Sequence, residues 1–281
     1  MQDKRVEFLH TILDFILSLI RLVSITHFRT TRKIDRKSEK CVVMGNGPSL
    51  TDSLNDNKDM LTSHDLIAVN FMGLSPEFII YKPCVYVLCD TAFWLSPDIP
   101  EITREKVRDF YRQMVKRVSW NLQLYIPYMA KNVTEIHEIL SQNENIHLCY
   151  YNKTKVEGFK WFQYMILKRQ WGMFRAQNVI VAALLLAIYS DYKQIYLMGV
   201  DADWMKNLWV DEQNRIRSTD IHFYGQNDRM SSAKMHDVYL SLYYAFKSYA
   251  DTEEYSKHCE IKIYNTNLLS FVNVFEKKNN L

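Results

Sequence analysis

The stretch Cys41-Val42-Val43-Met44-Gly45-Asn46-Gly47-Pro48-Ser49-Leu50 decides the fold of this chain. An apolar strand leads into a glycine turn and a Ser/Thr/Asp-rich helix start, which is the layout of the first βα unit in nucleotide-binding α/β folds. Glycines let the backbone approach a phosphate closely, and free N–H groups at a helix start favour its negative charge. The candidate nucleotide contacts are therefore Gly45, Asn46, Gly47, Pro48 and Ser49.

This turn matches neither GxGxxG nor a P-loop, because no GK[ST] follows it. A tight turn without a ligand is therefore the alternative. In the nucleotide-binding interpretation, the side-chain amide of Asn46 can donate to a phosphate or to a sugar hydroxyl.

Two further predicted strands end in polar residues. Residues 65–70 end in Asn70, and residues 85–90 end in Asp90. In open parallel sheets the carboxyl ends of the strands line the ligand crevice, so Asn46, Asn70 and Asp90 are expected at one edge. Each of them alone is equally typical of a helix cap or a turn.

A helix and a strand farther along the chain repeat this layout. Residues 178–189 are predominantly apolar and predict a buried helix, and the strand at residues 194–201 ends in Gly199-Val200-Asp201. The segment Asp201-Ala202-Asp203 has a DxD spacing that can hold Mg²⁺ against a diphosphate. No second carboxylate cluster accompanies it, so we expect no cofactor or metal to be essential.

The composition excludes several classes of protein. The 281 residues carry 35 Lys and Arg against 32 Asp and Glu, a net charge of +3, which gives no reason to expect a nucleic-acid partner. A hydrophobic fraction of 48% excludes disorder over most of the length. The five cysteines contain no CxxC pair, so neither a zinc knuckle nor a redox site is supported.

Residues 1–40 differ from the remainder of the chain. Residues 8–23 are mostly apolar, with polar residues spaced three or four apart, which predicts an amphipathic helix. The run is short for a bilayer span, and a secretory signal is not expected, since acids precede it. Basic residues follow at 27–40, which suits anchoring on an anionic membrane surface. The alternative is a helix packed on the domain or in a homo-oligomer contact.

Residues 98–170 show no clear alternating pattern and are rich in aromatic residues. We expect a lid or an acceptor-facing subdomain there, with surplus core aromatics as the alternative. Among the histidines, His222 lies in a loop-like segment beside an acid. Because its ordinary pKa is near neutral, a histidine in such a place is a candidate general base for a hydroxyl.

These residues together resemble the bacterial sialyltransferases of glycosyltransferase family 42. Residues 45–50 resemble the family's opening motif, and residues 192–201 are similar to its YKEIYLSGID strand. The segment His222-Phe223-Tyr224-Gly225 stands where the family has its catalytic histidine in an HYxG segment. Residues 264–269 resemble its closing PNSLL-type segment. The four short matches follow the family's order across residues 41–275.

The resemblance implies a fold and an activity. The fold would be α/β: a single GT-A-like domain, residues 41–281, with a Rossmann-type, mostly parallel sheet and a lid. The activity would be inverting transfer of a sialic acid or related 2-keto sugar from its CMP-activated donor to a hydroxyl of a cell-surface glycan or glycolipid. With residues 1–40 at the membrane, the enzyme would be peripheral on the cytoplasmic face of the inner membrane.

The resemblance also implies roles for individual residues. Asn46 and Asn70 would hold the phosphate and ribose of CMP, and Asp90 stands where the family has an asparagine that reaches the nucleotide. His222 would deprotonate the acceptor hydroxyl, with Tyr224 beside it in the site. The segment Arg175-Ala176-Gln177-Asn178 would correspond to an RxTSG segment, with Gln177 and Asn178 in place of Ser and Gly.

Two departures affect the leaving group. Where the family has tyrosines that bind the departing phosphate, this chain has Asp203 and Trp209. Trp209 can donate only through its indole N–H, and Asp203 would repel a phosphate unless a cation intervened. Stabilisation is then expected from Arg175, Arg215, Tyr224 or a metal such as Mg²⁺. Other CMP-linked nonulosonates or Kdo are candidate donor sugars.

Two other classes of function compete with the transferase. A GNGPSL turn with a GxD strand also occurs in DUF115-like proteins, including pterin pyrophosphokinases and motility-associated proteins. A diphosphate-transferring enzyme is therefore the first alternative, in which Asp201 and Asp203 would be magnesium ligands and His222 would not be essential. A non-catalytic nucleotide-binding protein on the membrane is the other alternative, with His222 as a structural residue.

Overall fold

The strand before the glycine turn lies at the centre of a parallel sheet. The structure is a computed structural model that describes residues 4–95, 97–223, 225–231 and 233–278. In it, β1 (Lys40–Met44) pairs in parallel with β2 (Asp65–Val69) on one side and β6 (Gln194–Met198) on the other. Residues 41–44 are fully buried. Burial on both faces of the sheet explains why these strands read as uninterrupted apolar runs.

Eight parallel strands form this sheet among the described residues. It continues beyond β2 through β3 (Val85–Val87), β4 (Leu122–Pro127) and β5 (Ile146–Tyr151), and beyond β6 through β10 (Lys262–Asn265) and β11 (Glu276–Lys277). The order is β11-β10-β6-β1-β2-β3-β4-β5. The direction of winding reverses between β1 and β6, and in such sheets the ligand crevice opens at the carboxyl ends of the two strands beside that reversal.

Helices cover both faces of the sheet. Those that follow the first helix of the chain are α2 (Leu50–Asp56), α3 (Lys58–Ser63), α4 (Pro76–Tyr81), α5 (Glu101–Arg117), α6 (Thr134–Leu140), α7 (Lys160–Lys168), α8 (Val179–Tyr189) and α9 (Met235–His258). One face of the sheet packs under the fully apolar helix α8 and the long helix α9, and the other packs under α2 to α6. Two apolar cores, one on each side of the sheet, therefore hold the molecule together.

The prediction of a lid or separate subdomain at residues 98–170 is wrong. This segment forms α5, β4, α6, β5 and α7, so it extends the main sheet by two parallel strands. All six residues of β4 are buried, including Gln123. A strand buried on both faces has no polar side, so its sequence lacks the period of two that is typical of a half-buried strand.

A small antiparallel sheet is inserted between β6 and α9. Its strands are β7 (Leu208–Val210), β8 (Ile216–His222) and β9 (Gly225–Ser231), with β8 in the middle. The segment around His222, expected to be loop-like, is thus the end of a strand in a hairpin. The register pairs His222 with Gly225 across the turn. The inserted sheet, and not residues 98–170, reaches over the carboxyl ends of β1 and β6.

The N-terminal segment forms one long helix, α1 (Lys4–Ile25). Its 22 residues are long and apolar enough to cross a membrane by length and composition, so the expectation that the run is too short is wrong. The basic segment after it is extended and bonded to the sheet. The backbone N–H groups of Ile34 and Lys37 donate to Ser190 and Asp65 at 2.9 Å, and the Lys33 ammonium pairs with Asp191.

Candidate functional site

A cavity of about 600 Å³ opens at the carboxyl ends of β1 and β6. This volume is within the range of about 300–1,000 Å³ typical of small-molecule sites. We call it the central cavity. Among the residues considered from the sequence, those that line it are Gly45, Asn46, Gly47, Asn70, Asp90, Gln177, Asn178, Asp201, Ala202, Asp203 and His222.

His222 reaches the cavity through a bond between the hairpin and the glycine turn. The backbone N–H of Phe223 donates to the carbonyl oxygen of Asn46 at 3.1 Å. His222 is partly buried and lines the cavity, as do Thr219 and Ile221 of the same strand. Residues separated by more than 170 positions in the sequence therefore share one wall of the cavity.

The side chain of Asn46 is buried, with 7% of its surface exposed. Its Nδ2 donates to the carbonyl oxygen of Val69 at 3.3 Å, while Oδ1 is buried and has no hydrogen-bond partner among the described residues. The sequence predicts that this amide donates to a ligand. The group that is left for a ligand is instead the acceptor, Oδ1, which suits a hydroxyl or an amine.

The second glycine of the turn makes room for a carboxylate of the protein itself. A Cβ atom at Gly47 would lie 1.9 Å from Oδ2 of Asp201, and one at Gly45 would lie 2.4 Å from the carbonyl oxygen of Gly199. Oδ2 of Asp201 accepts from the backbone N–H of Ser49 at 3.2 Å, and Oδ1 accepts from Asn267. The N–H at the start of α2 was predicted to bind a phosphate, but it is bonded to Asp201.

The DxD segment divides into two different environments. Asp201 is buried and hydrogen-bonded through both oxygens, whereas the Asp203 side chain is 25% exposed and lies 3.9 Å from the Lys206 ammonium. In the described ranges of the chain, no three or more His, Cys, Asp and Glu side chains are grouped so as to hold a metal ion. Asp201 acts here as a fixed support for the turn.

Two non-glycine residues of the cavity wall have left-handed backbone conformations. Asn70 has φ 51° and Ala202 has φ 52°. Asparagine tolerates this region, whereas for alanine it costs about 1 kcal/mol, and such strained residues cluster at functional sites. Asp90, also in the wall, accepts from the backbone N–H of Ala92 at 2.8 Å and so caps the short 3₁₀ helix Thr91–Trp94.

The segment before α8 contributes amides to the cavity. Oδ1 of Asn178 accepts from the backbone N–H of Val181 at 3.3 Å, which caps α8, and its Nδ2 is buried without a partner among the described residues. Nε2 of Gln177 donates to Ser241 of α9 at 3.2 Å. Arg175 does not line the cavity, because its guanidinium lies 3.5 Å from the centre of the Tyr244 ring.

Other residues expected at the site lie elsewhere. Pro48 and Ser49 line a neighbouring cavity of about 350 Å³, which shares Asp201 and Asp203 with the central cavity. Arg215 is bonded to Asp211 and Gln213 on the inserted sheet. Trp209 lies on β7, outside the central cavity. Tyr224 lies outside the described residues.

Lys153 lines the cavity, although no motif in the sequence indicates it. It follows β5, and its ammonium donates to the carbonyl oxygen of Cys89 at 2.6 Å while lying 5.2 Å from the centre of the Trp94 ring. It is the only lysine or arginine that lines the central cavity within the described residues. Lys153 could be placed in the site only if β5 had been predicted, because it follows that strand and its ammonium lies near the end of β3.

Several solved structures are similar to this chain, and two of them are glycosyltransferases. A MAf glycosyltransferase from Magnetospirillum magneticum AMB-1 is 11% identical, with a TM-score of 0.49, over 93% of this chain; this chain spans 38% of that protein. The alpha-2,3-sialyltransferase from Campylobacter jejuni is 15% identical, with a TM-score of 0.44, over 90% of this chain and 87% of that one. No protein-family model and no curated protein sequence matches this chain.

Proposed function

We propose that this protein is a glycosyltransferase that moves a sialic acid or a related 2-keto sugar from CMP to a hydroxyl of a cell-surface glycan. One observation carries this proposal: the Phe223–Asn46 backbone bond, which holds His222 in the wall of the same cavity as Asn46, Asn70 and Asp90. A potential proton acceptor thus faces a cavity whose other groups suit the hydroxyls, amine and phosphate of a nucleotide.

The reaction would be a direct displacement at the anomeric carbon. The acceptor oxygen attacks that carbon while its bond to the phosphate oxygen of CMP breaks, so the configuration inverts. The proton of the acceptor hydroxyl passes to the imidazole of His222, and CMP leaves as a phosphate monoester. Because the transition state has oxocarbenium character, it needs a base at the nucleophile and fixed donors at the leaving phosphate.

Lys153 is the group best suited to the leaving phosphate. This chain lacks the family's phosphate-binding tyrosines, and the ammonium of Lys153 can bind the phosphate in their place through its positive charge. Trp94 and the carbonyl oxygen of Cys89 fix the position of the ammonium. The buried Oδ1 of Asn46 can accept from a ribose hydroxyl or the cytosine amine. The carboxylates of Asp203 and Asp90 in the cavity wall disfavour the larger negative charge of a triphosphate, which favours a nucleoside monophosphate.

The glycan acceptor would be lipid-linked, as in the biosynthesis of lipooligosaccharide, capsule or O-antigen. The enzyme would then act as a peripheral protein on the cytoplasmic face of the inner membrane. A GT-A-like relationship to the sialyltransferases of family 42 belongs to this proposal.

Ligand-dependent thermal shifts test the proposal. The full chain is melted with CMP, CTP, GTP or ATP, each with and without Mg²⁺. Stabilisation by CMP without Mg²⁺ is the expected result, and transfer from synthetic CMP-sugars to lipid-extracted glycans is the activity that should accompany it. Stabilisation by ATP only in the presence of Mg²⁺ would instead identify a diphosphate-transferring enzyme, and no response to any nucleotide would refute the proposal.

A further inference from the structure

Helix α1 turns its polar side to the protein and its apolar side to the surroundings. Ser18 is fully buried, and its hydroxyl accepts from the backbone N–H of Glu157 at 2.8 Å. Arg21 pairs with the Glu157 carboxylate at 3.4 Å. We call this side, with Phe15 and Leu22, the docked face. Polar groups that would normally face water therefore hold the helix to the domain.

Docking of α1 depends on a close backbone contact. A Cβ atom at Gly158, where φ is +98°, would lie 2.7 Å from the Cα atom of Phe15. The Phe15 ring packs edge-on against Phe162 with 4.7 Å between ring centres, and Thr26 beyond the helix end bonds to Thr154 at 2.8 Å. The helix is thus fixed along much of its length.

The opposite side of α1 is apolar and exposed. We call it the outer face. Its side chains retain between 45% and 80% of their surface exposed: Leu9, Leu13, Ile16, Leu17, Ile20 and Val23. Trp161, which is 62% exposed and contacts Phe15, continues this surface on α7. A contiguous apolar patch of this kind on a folded protein marks an interaction surface.

Aromatic and basic residues border the outer face at the end of the helix. Phe28 is 55% exposed and packs on Trp171, and the guanidinium of Arg169 lies 5.5 Å from the centre of the Trp171 ring. Exposed Arg29 and Lys168 adjoin them. Aromatic rings and cations at the edge of an apolar surface are the arrangement found where proteins meet the headgroup region of a bilayer.

We propose that the outer face of α1 inserts in the plane of one leaflet of an anionic membrane while the docked face stays on the domain. This inference does not depend on the proposed catalytic function. An anionic lipid surface complements Arg29, Lys168 and Arg169, whereas a second copy of the chain would present the same cations again.

The docked face also distinguishes lying in the membrane from crossing it. At 1.5 Å per residue, α1 is about 33 Å long, which matches a hydrocarbon core of about 30 Å. A crossing helix, however, would place Ser18, Arg21 and the domain contacts at Glu157 within that core. Only a helix that lies parallel to the membrane surface can keep its docked face on the domain while its outer face contacts the lipid.

Vesicle flotation of the full chain tests the inference. The probes are vesicles of phosphatidylcholine alone and of phosphatidylcholine mixed with phosphatidylglycerol. The variant Leu13→Asn/Ile20→Asn changes the outer face, and Ile80→Asn/Ile102→Asn is the matched control, because Ile80 and Ile102 are 67% and 82% exposed on other helices. Thermal melting verifies that both variants fold.

The expected result is binding to anionic vesicles that the outer-face variant weakens at least about tenfold and the control leaves unchanged. A cleavable tag before Met1 should stay accessible to protease from outside the vesicles. Equal binding of the outer-face variant would overturn the proposal, as would protection of the tag, which indicates a crossing helix. A concentration-dependent dimer that the same variant dissociates, without vesicle binding, would assign the face to a second copy.

Discussion

The backbone N–H of Phe223 donates to the carbonyl oxygen of Asn46 at 3.1 Å. This bond joins the hairpin of the inserted sheet to the turn that follows the central strand. Because it is made by the backbone, it survives side-chain substitutions at either position. The roles of His222 and of the glycine turn can therefore be separated by mutation.

Replacement of His222 by alanine should remove transfer and spare nucleotide binding. A positioned general base contributes about 10²- to 10⁴-fold to a rate, whereas the groups that suit the nucleotide lie on other elements. Turnover of a CMP-sugar and the CMP-induced thermal shift are measured on the same preparation. Loss of both signals together would count against the role of His222 as a base.

Replacement of Lys153 by methionine should weaken the binding of CMP by about 10- to 100-fold, since a hydrogen bond to a charged group contributes about 1.5–3 kcal/mol. Lys155→Met is the control, because Lys155 lies outside the central cavity and pairs with Glu157 at 2.6 Å. Calorimetric titration with CMP compares them. Equal affinities of the two variants would remove Lys153 from the site.

Gly47→Ala should lower the free energy of unfolding by about 2–4 kcal/mol, because the new methyl group would overlap the carboxylate of Asp201. In the background of Asp201→Ala the same change should cost less, by at least about 1 kcal/mol. Chemical denaturation of the two single variants and the double variant measures this coupling. Strictly additive effects would show that the two groups do not share space.

Gly158→Ala should loosen α1 from the domain. The added methyl group meets the backbone of Phe15 and also strains a residue with positive φ, at a cost of about 1–3 kcal/mol. Limited proteolysis should then cleave within residues 4–25 faster than in the unmodified protein, while the sheet remains resistant. Unchanged cleavage would mean that the contact does not hold the helix.

The cysteines should react slowly with thiol reagents in the folded protein. Burial raises the pKa of the Cys84 thiol to about 11, and it also raises the pKa of Cys41, Cys89, Cys149 and Cys259. A thiol with a pKa near 11 is only about one part in a thousand thiolate at pH 8. A disulfide reagent at this pH should therefore label all five rapidly only after denaturation. Fast labelling of the native chain would contradict the burial.

The core of the sheet was predictable because strand, turn and helix alternate clearly around β1, β2 and β6. Strands β4 and β5 were not predictable. Burial on both faces removes the alternation from β4, and in β5 the buried residues are Ile146, Cys149 and Tyr151, which do not alternate. Lys153 was missed for the same reason: its place in the cavity follows from β5 and from no local motif.

The orientation of α1 on the domain could not be predicted from the sequence either. The pattern shows two faces but not which of them packs on the domain, and here the polar face does so through Glu157 and Gly158. Likewise, the glycine turn resembles a phosphate cradle in its sequence, although the charge at its N–H group is supplied by Asp201, a residue distant in the chain.

A side chain at position 47 would occupy the space that the Asp201 carboxylate fills, so the residues at these two positions should evolve together. With the carboxylate in place no other residue fits at position 47; without it, a Cβ atom there would still lie 2.9 Å from the carbonyl oxygen of Gly199, so a small backbone shift would be enough to admit alanine. Substitutions at positions 47 and 201 should therefore occur together among related sequences. A relative with alanine at position 47 should have a shorter or uncharged residue at position 201, after β6.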